Sequence, residues 1–117
     1  MNDQLIETQI NEVLNPPFDQ SDLPTLYYAI APQDVQPPFM VYTLVSDITA
    51  DVLCGLNETT STIQLDSYAY SPVDAKKAAL KALGKLSILS PFRVNSSGSF
   101  EEETKLFRYQ MEFSVIY

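Results

Sequence analysis

The chain contains no histidine, a single cysteine and fifteen carboxylates, so any chemistry it performs has to rest on acidic groups. Without histidine, no side chain has an ordinary pKa near neutrality, and no Ser-His-Asp or Cys-His arrangement can form. Cys54 alone cannot build a zinc site, and no Lys or Arg lies near it in the sequence to lower its pKa. It reads as a small apolar residue. The three glycines, Gly55, Gly84 and Gly98, stand apart, so no loop of the phosphate-cradling kind exists. Asp47, Asp51 and Glu58 fall within one stretch, and hard cations take oxygen ligands. Their spacing matches no calcium loop, however, and solvated acids are the expected reading. The run Glu101–Glu103 likewise reads as solvated charge ahead of a strand. Seven tyrosines invite base stacking. They recur at strand spacing among few cations, which suits core and interface packing instead. No catalytic, cofactor-binding or metal-ligating residue is assigned, and the chain is expected not to be an enzyme.

The elements around these residues are better defined. Leu5, Ile6, Ile10, Val13 and Leu14 recur at helical spacing, with Asn2 or Asp3 available to cap. "NPPFD" at 15–19 ends that helix, because proline lacks the donor and restricts its predecessor. "LYYAIA" at 26–31 is a short strand, and "PQDVQPP" a stiff extended loop. "PPFMVYTLVSD" at 37–47 then introduces a strand at about 39–46 that is apolar on both faces. Phe39, Val41, Thr43 and Val45 share one face; Met40, Tyr42 and Leu44 share the other. After a long connection at 47–58, alternation resumes in "TSTIQLDSYAY". The clearest helix is "SPVDAKKAALKALGKL", with Ser71 as N-cap, Pro72 in the first turn and Asp74 three residues on. Its alanines form a face that can lie close on a sheet. Two strands follow, with turn chemistry at Asn95–Ser99 and strong alternation from Phe107 to Tyr117. The expected fold is α+β: a mainly antiparallel sheet of four to five strands, two helices on one face, in the order α-β-β-β-α-β-β.

At 117 residues and 13.1 kDa, a single domain over 1–117 is expected. The net charge of −8 and pI near 4.2 oppose phosphate binding and docking on anionic lipid. No 18-residue apolar run is present, so no transmembrane helix is expected. "MNDQLIETQI" lacks the basic-then-apolar pattern of a secretory signal, and an intracellular, soluble protein without membrane contact is expected.

The ordered set of a leading helix, the "PPFMVYTLVSD" strand, a strand closing on "QLDSYAYS", a helix opening "PVDAKKAALKAL" and the ending "FRYQMEFSVIY" resembles the tail terminator (tail completion) proteins of long-tailed bacteriophages. The resemblance spans the chain but rests on order and pattern, with no invariant catalytic motif. It implies a structural, non-catalytic virion protein of the tail and neck, assembled in the host cytoplasm. Such a protein forms a ring, usually hexameric, on the head-proximal end of the tail tube. The ring stops tube polymerisation and offers a surface to the head connector. Phage DNA would pass through an acidic lumen without specific binding.

On this reading the expected contact residues are Asp47, Asp51, Leu53, Leu56 and Glu58 in the long connection, with Tyr68 and Tyr70 as interface aromatics. Leu53 and Leu56 lack core periodicity; packing beneath the same subunit's sheet is the competing account of them. Two other functions are compatible with the sequence: a head-closure or connector adaptor of the phage neck, and a small α+β ligand-binding module.

Overall fold

The computed structural model describes residues 5–14, 23–49 and 59–116. Helix α1 spans Ile6–Leu14, strand β1 Thr25–Tyr28, β2 Phe39–Thr49, β3 Thr59–Ala69, helix α2 Pro72–Lys85, β4 Phe92–Glu101 and β5 Leu106–Ile116. A short 3-10 turn, Leu86–Leu89, extends α2. The five strands form one sheet in the order β1-β2-β3-β5-β4. All pairings are antiparallel except β1 with β2, which run parallel. The fold is therefore α+β with both helices on one side, in the element order read from the sequence.

Alternation decides which residues meet the helices. Met40 and Tyr42 on β2, Ile63 and Leu65 on β3, and Met111, Phe113 and Val115 on β5 point into one cluster. Ile6, Ile10 and Leu14 of α1 and Ala79, Ala82 and Leu86 of the α2 segment close it from above. The alanines permit close approach of α2 to the sheet. Ser71 caps α2 as expected: its Oγ accepts a hydrogen bond from the Asp74 N–H at 3.1 Å. Leu5, in contrast, is exposed and lies outside α1; the buried helix face is completed by Gln9.

No described helix lies on the opposite face of the sheet. A parallel β1–β2 pair needs the chain to cross from one strand end to the other, and residues 29–38 make that crossing over this open face. Ala31 and Val35 of the crossover pack with Tyr27, Phe39, Val41, Tyr68 and Leu106 into a second, smaller cluster. The second apolar face of β2 is thus partly covered by its own chain.

Two further departures have local causes. A bulge between Leu44 and Ser46 reverses the parity of β2, so that Ile48 joins Thr60 on the open face. The Asn95–Ser99 segment, expected to turn, is strand; it pairs along β5 and its exposed edge position tolerates Ser and Gly. The turn falls instead at Glu102–Lys105, where Lys105 takes a positive φ of 59° and its N–H donates to the Glu101 carbonyl at 2.9 Å.

Candidate functional site

Of the seven residues expected at an interface, Asp51, Leu53, Leu56 and Glu58 lie outside the described residues. The other three do not converge. Asp47 is exposed near the end of β2, opposite Ser61, whose Oγ donates a hydrogen bond to Asp47 Oδ1. Tyr68 stands seven residues further along β3 than Ser61, about 24 Å away, and on the open face. Tyr70 follows β3, is 68% exposed, and its hydroxyl meets Gln36 Oε1 at 3.4 Å.

Tyr68 and Tyr70 belong to a cleft of about 620 Å³ between the crossover and the open face of the sheet. Its apolar wall is aromatic. Phe39 and Tyr68, partners across β2 and β3, stack with ring centroids 4.8 Å apart and an interplanar angle of 18°. Tyr27 meets Phe39 edge-on at 6.4 Å. Burial raises the Tyr68 pKa, with the nearby Arg108 charge acting the other way.

Beside the aromatic wall lies an ion pair that sequence reading did not single out. Arg108 Nη2 donates to Asp66 Oδ2 at 3.0 Å, across neighbouring strands β5 and β3. Gln64 Nε2 donates to both Asp66 oxygens, at 3.3 and 3.0 Å. Burial opposes the Arg108 charge, but its hydrogen bond to Asp66 and the neighbouring carboxylate outweigh this and raise its pKa. Arg108 Nε is buried without a hydrogen-bond partner. The only sequence signal for this pair was opposite charge on two alternating strands, which acquires meaning once register is known.

Beyond the cleft no described element covers the open face. Ile48, Thr60 and Ile116 lie in one row across β2, β3 and β5, and both isoleucines are exposed. Val45, at the bulge, is exposed as well. Among the described residues β1 covers β2 only from Phe39 to Tyr42, and no strand pairs with the outer side of β4. From Val94 to Phe100 that edge carries no charged residue, the device that usually discourages edge pairing.

This arrangement joins aromatic and aliphatic surface to one ion pair whose guanidinium keeps an unpartnered Nε, and no group of three potential metal ligands occurs among the described residues. Compared with known proteins, the sequence matches no family model and no curated relative.

Proposed function

We propose that this chain is a structural ring subunit of a phage tail, a terminator that caps the head-proximal end of the tail tube, stops its polymerisation and provides the head-joining surface. The observation that carries the reading is the row Ile48–Thr60–Ile116 on the open face, whose two isoleucines are exposed and covered by no described element. Exposed isoleucines on either side of one strand residue suit a face that another subunit covers. Edges on opposite sides of the sheet that no described strand fully pairs add further surface for heterologous contacts, which close into rings when the rotation fits. The ordered sequence pattern points to the same class of protein.

Light scattering on a sizing column, with the chain alone and then mixed with the cognate tail tube protein, tests this. A ring-sized species that binds the tube and halts its growth is the expected result. Binding to the connector but not to the tube would move the assignment to a head-closure adaptor. The cleft favours a second reading, because 620 Å³ falls within the size range of small-molecule sites. A chain indifferent to both phage partners, but stabilised on heating by a small aromatic or aliphatic ligand, would establish that one instead.

A further inference from the structure

Charge is segregated along this chain. The first 75 residues hold eleven carboxylates and no lysine or arginine, while the remaining 42 hold all seven cations and four carboxylates, giving formal charges of −11 and +3 within the net −8. Four of the seven cations sit on α2, at Lys76, Lys77, Lys81 and Lys85. That helix has two apolar faces. The inner one, Ala75, Ala79 and Ala82, is buried against the sheet. The outer one consists of Val73 (58% exposed), Leu80 (48%) and, in the adjoining 3-10 turn, Ile88 (76%). Gly84 lies between Leu80 and Ile88, with open space where a Cβ would project. No described residue calls for a glycine there, and within a helix it costs about 1 kcal/mol relative to alanine. A glycine on the outer side of a helix suits close approach by another surface.

The open sheet face is the complement. Along the three central strands its only cation is Arg108, which Asp66 already holds. Glu101, lining the cleft, and Glu112, opposite Gln64, add negative charge. The spacing agrees as well. Lys77 and Ile88 are separated by about 16 Å at helical rise. Glu112 and Ile116 are about 14 Å apart along β5. Both surfaces therefore place charge at one end and exposed isoleucine at the other.

We propose that the outer face of α2 on one copy docks onto the open sheet face of a second copy. Lys77 meets Glu112, while Ile88 covers Ile116 and the row it shares with Thr60 and Ile48. This names the subunit contact of the ring reading and rests on it. The two surfaces lie on opposite sides of the sheet, so the contact is heterologous and propagates from copy to copy.

A charge-swap series, measured by light scattering on the full chain in low salt, tests the contact. Lys77→Glu and Glu112→Lys should each weaken self-association on the order of tenfold. The variant carrying both changes should recover it, because the pair is restored with signs exchanged. Ile116→Asp, at an exposed position, should abolish association with an unchanged circular dichroism spectrum. A wild-type chain that remains monomeric at about 1 mM overturns the inference, as does a folded two-residue swap that stays monomeric. Binding of wild-type chain to anionic vesicles, lost in Lys77→Glu while self-association is retained, would assign the α2 face to a lipid surface and also overturn it. Tube capping is read separately. Charge-dependent self-association without capping removes the terminator reading and leaves the contact standing; capping that is unchanged in every swap variant does the reverse.

Discussion

The two faces of β2 solve the same problem with unequal means. On one, Met40 and Tyr42 disappear beneath two helices into a cluster that reaches across the sheet to Phe113 and Val115. On the other, Phe39 and Val41 are covered by a crossover of ten residues that turns at Gln33–Asp34 and by a few aromatic neighbours. Both pairs are buried, yet the first is enclosed by regular structure from distant parts of the chain and the second by one loop. The covered stretch also ends early: beyond Thr43 no described helix or loop lies over the open face. The contrast separates residues that hold the fold from residues that are available for contact. It places the boundary within a single strand, near the bulge at Val45.

The largest effect should come from the helix-covered side. Phe113→Ala removes a fully buried ring from the main cluster and should cost about 3–5 kcal/mol in urea unfolding, because the surrounding layers cannot collapse into the space. Phe39→Ala on the open face should cost less, about 2–3 kcal/mol, since a loop relaxes more readily than a packed helix. Equal losses would show that the two clusters behave as one core, and the distinction between the faces would fail.

The intermediate test concerns the ion pair beside the cleft. Asp66→Ala leaves Arg108 partly buried without its carboxylate and should destabilise by about 1–3 kcal/mol. Asp66→Ala combined with Arg108→Met should recover part of the loss, because no unpaired charge remains. If Asp66→Ala is neutral, solvent on the open face compensates the guanidinium, and this face is wetter than its burial implies.

The faces were not equally legible in the sequence. Alternation in β3 and β5 and the Ser71–Pro72 start of α2 carried the helix-covered side, because a buried helix and a half-buried strand both impose a period. The crossover left no such trace. "PQDVQPP" reads as stiff loop, and nothing local says that Ala31 and Val35 lie over Phe39. Parallel pairing of β1 with β2 is a long-range choice, invisible to residue spacing. The turn was misplaced to Asn95–Ser99 because Ser, Gly and Asn also suit an edge strand whose side chains stay in water; the actual turn uses Glu102–Lys105, which carry no glycine or proline. The bulge at Val45 moved Ile48 to the open face, and a one-residue shift of this kind cannot be counted from composition. Of the expected contact residues, Tyr68 and Tyr70 line the cleft, while Asp66 and Arg108 beside it carry no sequence signal because each alone is an ordinary charge on an alternating strand.

The smallest effect, and the one most specific to the comparison, is a difference in tyrosine titration. Tyr42 belongs to the helix-covered face, where its hydroxyl donates to the Glu7 carbonyl at 3.2 Å. Burial raises its pKa above the ordinary 10.0, and the charges of Tyr28 and Glu7 act in the same direction. Tyr68 is raised by burial on the open face, but there Arg108 pulls the other way. Both groups therefore keep their protons in the folded state at pH values where the unfolded chain has lost them. Their contribution to stability is complete below pH 10, declines as pH rises through 10 toward the folded-state values, and is lost above them. Absorbance titration at 295 nm should show at least two of the seven tyrosines ionising late. Tyr42→Phe and Tyr68→Phe should each remove one late component. Replacing Arg108 by Met should move the Tyr68 component still higher and leave the Tyr42 component in place. A shift of both components in that variant would mean that Arg108 acts through the whole sheet rather than on its own face, and the two sides of β2 would then have to be treated as one electrostatic unit.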